Sequence, residues 1–192
     1  MTVILASQSP RRRQLLEQMG FTEFQIRPAH GEEVAAPGLT PAQLVEALSR
    51  QKAEEIAAGA DPDALIIAAD TVVAVDGQVL GKPHSTEEAV EMLLSLSGRE
   101  HTVYTGVTLR RGVQTVTRHE ATQVRFRPLT REEIDAYVAT GEPMDKAGAY
   151  GIQGRGALLV EGIQGDYYNV VGLPVCLVGR LLAQFGVDPF LI

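Results

Sequence analysis

Residues 65–83 read LIIAADTVVAVDGQVLGKP. The first five are uncharged, apolar and partly β-branched, the pattern of a strand buried on both faces as in a parallel sheet. Asp70 follows at once. A carboxylate at the end of a buried strand is costly unless it is ionised beside a cation or metal, or open to a cleft. The β pattern resumes over 71–75, Asp76-Gly77 is a two-residue hairpin signal, and 78–80 is the returning strand. Gly81-Lys82-Pro83 closes the hairpin, and that register brings Lys82 within a few residues of Asp70, an acid and a base at one sheet end. Such a pair is either a structural ion pair or part of a site.

Working outward to the N-terminus, residues 3–6 form a second buried strand, and Ser7-Gln8-Ser9-Pro10 turns it into a helix. Ser9 is its N-cap and Pro10 its first residue, Leu15, Leu16 and Met19 are its apolar face, and Gly20 ends it. Arg11, Arg12 and Arg13 break the rule for a first turn. Cations there oppose the helix dipole, which favours anions by about 0.3–1 kcal/mol each. Exposed backbone N–H groups, the Ser7 and Ser9 hydroxyls and an inward arginine suit the turn to a phosphate, although GxxxxGK[ST] is absent. Residues 24–27 are a further strand, and Glu32 and Glu33 precede a Pro-Gly loop. Adjacent acids of this kind are usually solvated, and only proximity to Asp70 would make one a metal ligand. Thr40-Pro41-Ala42-Gln43 is a capping box opening a helix to about Ala58. Lys52 falls within its apolar stripe of Leu44, Val45, Leu48 and Ile56, either snorkelling to solvent or pointing at an anion in a cleft.

Working outward to the C-terminus, Ser85-Thr86-Glu87-Glu88 is another capping box, for a helix with Ala89, Val90, Leu93 and Leu94 inward. Residues 101–109 alternate as a strand, Arg110-Arg111-Gly112 turns it, and 113–127 is a long antiparallel partner with Val124 and Phe126 inward. As an edge strand it could support a homodimer. Thr130 caps a helix ending near Gly141. The segment GEPMDKAGAYGIQGRG, 141–156, is too glycine-dense for continuous helix and offers Asp145, Lys146 and Gln153 as polar groups near a ligand. Strands over 157–163 and 167–171 and a last helix from Leu173-Pro174 to Phe185 complete the chain.

Composition narrows the function. A 192-residue chain that is 45% hydrophobic and 21% charged fits one globular domain, 1–192, or two small lobes. A net charge of −7 supplies no general basic field for nucleic acid, so any anion site is local. The lone cysteine, Cys176, lies in the apolar LPVCLVGRLL and is expected as an inert core thiol in a reducing compartment. MTVILAS lacks a signal peptide's basic flank, no run reaches membrane-spanning length, and a cytoplasmic protein is expected. His30, His84, His101 and His119 are too dispersed for a zinc site. The pattern predicts an α/β domain with a mixed sheet and a cleft. Its separated cations and carboxylates are what hydrolysis of a phosphoanhydride requires: a metal on phosphate oxygens, cations on the leaving group, a carboxylate taking a proton from water.

The segments LASQSPRR (5–12), AADTVV (68–73), GKP (81–83), SGREHTVYTGV (97–107), EPMDKAGAYGIQGRG (142–156) and GDYYNVVGLP (165–174) together resemble the Maf family of nucleoside triphosphate pyrophosphatases, nearly end to end and in order. The resemblance implies an elongated mixed β-sheet flanked by helices, with a cleft between two lobes, as in inosine triphosphatases. It implies release of pyrophosphate with Mg²⁺ or Mn²⁺. It makes Asp70 the proton acceptor or a metal ligand, Ser7, Arg12, Lys52 and Lys82 phosphate contacts, and Glu33, in preference to Glu32, the other acidic metal partner. Arg11, Thr71 and Gln153 are similar to the branch that acts on dTTP and UTP rather than 7-methyl-GTP. A carboxamide such as Gln153 can pair with both the acceptor oxygen and the N–H of a uracil or thymine ring. The expected role is removal of normal or modified pyrimidine nucleotides before they enter nucleic acid, with a link to cell-division arrest. The competing readings are a non-catalytic nucleotide sensor acting on division, a 7-methyl-GTP pyrophosphatase and a sugar-phosphate phosphatase.

Overall fold

A computed structural model describes residues 1–192. The strands are β1 Val3–Leu5, β2 Gln25–Ile26, β3 Leu65–Val75, β4 Gln78–Leu80, β5 Glu100–Arg111, β6 Gln114–Phe126 and β7 Val160–Gln164. The helices are α1 Pro10–Gln18, α2 Pro41–Ala57, α3 Thr86–Leu96, α4 Arg131–Val138, α5 Tyr167–Val171 and α6 Val175–Ala183. The strands pair in the order β2-β1-β3-β5-β6-β7, with β4 on β3. β1 is parallel to β2 and to β3, while β3-β4 and β6-β7 are antiparallel, so the sheet is mixed as expected.

The chain forms two compact units. The first comprises Met1–Asp70, Thr105–Glu120 and Gly172–Ile192; the second comprises Thr71–Tyr104 and Ala121–Val171. Ile4, Ala6, Ala53, Ile56, Ile66 and Ala68 pack α2 onto the parallel strands of the first unit. The second has its own core, in which Val73, Leu93, Leu96, Val124, Phe126 and Ile134 join α3 and α4 to the hairpin strands.

Local signals account for the helix starts. Ser9, Thr40 and Thr130 cap α1, α2 and α4 through their side chains, with full capping boxes at Thr40 and Thr130. At α3 only half of the expected box forms: Ser85 accepts from the Glu88 N–H, but the Glu88 carboxylate accepts from His84 N–H instead of closing back on Ser85. Leu94, expected inward, is exposed. The Asp76-Gly77 turn is as predicted, both residues at positive φ (51° and 74°), with Val75 opposite Gln78.

Several expectations need correction. β3 does not end at Asp70 but runs through it without a break. The β5–β6 turn is Gly112-Val113, and Arg110 and Arg111, read as part of it, belong to β5. β6 is an edge strand only in part, since β7 pairs with its last residues, Gln123–Phe126. The strand expected from 157 starts at Val160, because a 3-10 turn occupies Gly154–Leu158. The strand expected over 167–171 is helix α5. Cys176 is exposed, because the buried face of α6 is Leu177, Val178, Leu181 and Leu182 and Cys176 points away from it.

Candidate active site

Parallel pairing of β1 with β3 decides where the chemistry collects. The register Val3↔Leu65, Ile4↔Ile66, Leu5↔Ile67 runs both strands in one direction, so Asp70, within β3, comes level with Ser7 just past the carboxyl end of β1. Carboxyl ends of parallel strands are where open α/β sheets hold ligands. α1 begins there. Its N-cap Ser9 accepts from Arg12 N–H at 3.4 Å, and Ser9 N–H donates to Ser7 Oγ at 3.2 Å, which fixes the turn.

Of the three arginines, Arg12 turns inward. Its Nε donates to the Gly172 carbonyl at 2.8 Å and its Nη1 to Ser7 Oγ at 3.2 Å. Arg13 faces outward onto Glu17 at 2.9 Å, and Arg11 is half-buried. Burial holds the Arg12 guanidinium below its ordinary value; Asp70 opposes that shift, Arg11 adds to it and Glu33 opposes it. It stays charged at neutral pH.

Lys52 is the centre of the acidic part. From α2 its ammonium donates to Asp70 Oδ1 at 2.5 Å and lies 2.8 Å from Glu33 Oε1. The Asp70 side chain is 11% exposed and Lys52 18%, whereas Glu33 is 54% exposed. That contact explains how a carboxylate is tolerated inside β3: it is paired with a cation on its open side. Glu33, not Glu32, is the acid that shares the lysine with Asp70; Glu32 contributes its backbone carbonyl to Gln51 Nε2 at 2.5 Å.

The first unit thus brings together Ser7, Arg11, Arg12, Glu33, Lys52 and Asp70. Thr71, Lys82 and Gln153 belong to the second. There Lys82 is exposed just past β4, and Gly148 N–H donates to the Gly81 carbonyl at 3.0 Å, tying the hairpin to the glycine-rich segment. Gln153 is exposed on that segment. Asp145 and Lys146 pair with each other at 2.7 Å, and Lys146 also caps the Glu142 carbonyl at 2.7 Å, so this lysine organises the loop. Sequence reasoning missed Tyr137 and Glu142, whose contacts cluster in the same segment. The only sequence signal was a buried-face tyrosine five residues before an acid that opens the loop.

No three His, Cys, Asp or Glu side chains cluster as a closed metal cage. Two carboxylates converging on one cation are instead the hard-oxygen donor set that suits Mg²⁺, which is commonly held by one or two carboxylates, water and substrate phosphates. The residues present fit such an ion.

These features define an α/β protein with a serine- and arginine-bearing helix turn and an acid–lysine cluster beside its parallel strands. The Maf-like protein family profile matches residues 2–185, and the chain belongs to that family. It is 58% identical over 189 residues to a dTTP/UTP pyrophosphatase of Moorella thermoacetica, covering 97% of this chain and 96% of that protein. It is 50% identical over 188 residues to a dTTP/UTP pyrophosphatase of Bacillus pumilus, covering 98% of each. A solved structure of a HAM1 protein from Coxiella burnetii shares the fold, with a TM-score of 0.51 at 16% identity over 96% of this chain and 99% of that one. No helix is long and apolar enough to cross a membrane.

Proposed function

We propose that the protein is a nucleoside triphosphate pyrophosphatase that converts dTTP and UTP to the monophosphate and pyrophosphate. The observation that carries this reading is the convergence of Arg12, Lys52, Asp70 and Glu33 at one sheet end, in a chain so similar to proteins named for that reaction. Water attacks the α-phosphorus. The new oxygen–phosphorus bond forms as the bond to the bridging oxygen breaks, pyrophosphate leaves, and the water proton passes to Asp70. One Asp70 oxygen holds Lys52, and a carboxylate has lone pairs enough to accept a proton as well.

Ser7, Arg12, Lys52 and Lys82 hold the phosphates, and Arg12 and Lys52 take up charge that grows on the leaving group. Glu33 and Asp70 would hold the divalent ion, Mg²⁺ or Mn²⁺, which when bound screens the phosphate charge. Arg11, Thr71 and Gln153 select the base, Gln153 by pairing with the oxygen and N–H of a pyrimidine ring. The single cysteine fits a cytoplasmic location, and the substrate pool gives the protein its role of removing normal or modified pyrimidine nucleotides.

Asp70→Asn tests the assignment. General acid–base groups contribute about 10²–10⁴-fold, so hydrolysis of dTTP should fall by about that factor while dTTP binding, read by calorimetry, stays within about tenfold. Turnover close to that of the unaltered protein would remove Asp70 from the reaction.

A further inference from the structure

The segment carrying Gln153 is held by one carboxylate. Glu142 Oε1 accepts from Tyr137 Oη at 2.9 Å and from Gly156 N–H at 3.0 Å, and its Oε2 accepts from Arg155 N–H at 3.1 Å. Tyr137 Oη in turn accepts from Gly151 N–H at 3.2 Å. Residues on both sides of Gln153 are therefore tied to a single Tyr–Glu pair. The chain also closes on itself: a Cβ at Gly156 would lie 2.0 Å from the Gly151 carbonyl oxygen, and one at Gly154, where φ is +67°, would lie 2.9 Å from Glu142 Oε2.

Glu142 is itself anchored. Its N–H donates to Thr140 Oγ1 at 3.2 Å, and its carbonyl accepts from Lys146 Nζ at 2.7 Å. Burial alone would raise its carboxyl, yet the Gly156 N–H, the Tyr137 hydroxyl, the Arg155 N–H and the Lys146 charge together hold it below the ordinary carboxylate range. The acid is thus ionised and acts purely as an acceptor, which three converging donors require.

A segment with glycine at 151, 154 and 156 has unusually free backbone, and fixing it is entropically costly without such ties. A two-point match to a base edge tolerates little misorientation. We propose that Glu142, with Tyr137, is a positioning residue for base selection: the pair clasps residues 151–156 so that the Gln153 carboxamide meets a pyrimidine ring in one orientation. This rests on the reading of Gln153 as the base-selecting group.

The test compares kcat/KM for dTTP, UTP and dCTP in the unaltered protein, Gln153→Ala, Glu142→Gln and the double variant. Gln153→Ala should lower the dTTP-over-dCTP ratio by about tenfold, the worth of one well-made hydrogen bond. Glu142→Gln should lower the same ratio by about three- to tenfold, chiefly through KM for dTTP, and speed amide exchange at Gly151, Arg155 and Gly156. The double variant should be no less selective than Gln153→Ala alone, because Glu142 acts through Gln153. Tyr137→Phe, which keeps the ring in place, should lower the ratio in the same direction and carries the test should Glu142→Gln fail to fold. A collapsed ratio in Gln153→Ala with an unchanged one in Glu142→Gln and Tyr137→Phe would overturn the clasp alone. An unchanged ratio in Gln153→Ala would remove the base-selecting role of Gln153 and the clasp's role with it.

Discussion

A buried imidazole gives the molecule a built-in acid sensitivity. His101 is 3% exposed, its Nε2 meets Tyr150 Oη at 2.7 Å, and its ring packs edge-on against Phe126 and Tyr150. Its Nδ1 has no hydrogen-bond partner, and burial pushes its pKa down from 6.5 to about 4. Between those values the unfolded chain binds a proton that the folded one does not, so stability is full above pH 6.5 and falls as pH drops toward 4. The loss is on the order of 3 kcal/mol. Urea unfolding across that window should show the slope, and His101→Gln, which keeps a partner for Tyr150, should flatten it; an equal slope in the variant would place the sensitivity elsewhere. Lys52 illustrates what sequence could and could not say at this scale. Its position in the apolar stripe marked it as unusual, but snorkelling and cleft-facing lysines have the same sequence pattern, and only tertiary contact with Asp70 and Glu33 decides between them.

Most helix starts and the β3–β4 turn, whose causes are local, were legible, although the box at Ser85 only half forms. The caps at Ser9, Thr40 and Thr130 and the Asp76-Gly77 turn each depend on a handful of adjacent residues, and each forms as read. α5 shows the opposite case. Its sequence YYNVV has strong strand propensity, but Asp166 Oδ1 accepts from Tyr168 N–H at 2.8 Å and turns the chain into a helix. The helix is then secured from a distance: Asn169 Nδ2 donates to the Val103 carbonyl and to Thr122 Oγ1, both at 3.0 Å, in a fully buried setting. Those partners lie on β5 and β6, so nothing in the neighbouring sequence announces them. Asn169→Ala leaves the Val103 carbonyl without this donor and should cost about 1–3 kcal/mol, read as a lower denaturant midpoint. A midpoint unchanged within error would mean that α5 does not depend on this anchor.

At the scale of the whole molecule, the mixed sheet was readable because a parallel β1–β3 pair and a hairpin-rich middle have distinct hydrophobic patterns. The grouping of site residues was not. Ser7, Arg12, Glu33, Lys52 and Asp70 come from separated segments, and parallel register together with the packing of α2 assembles them. Family motifs supplied the names of those residues; geometry supplies the reason that an acid can sit within β3 and that one lysine serves two carboxylates. The net charge of −7 gives that cluster its significance, since the cations at work are local in an otherwise acidic chain. The measurement that tests the account most directly is a product-resolved assay of the purified protein with Mg²⁺ against dTTP, UTP, GTP, 7-methyl-GTP and the corresponding diphosphates. Monophosphate and pyrophosphate from dTTP and UTP, with little turnover of the purine nucleotides, is the predicted result. Orthophosphate as the product, preferential turnover of 7-methyl-GTP, or binding of triphosphates without hydrolysis would contradict it.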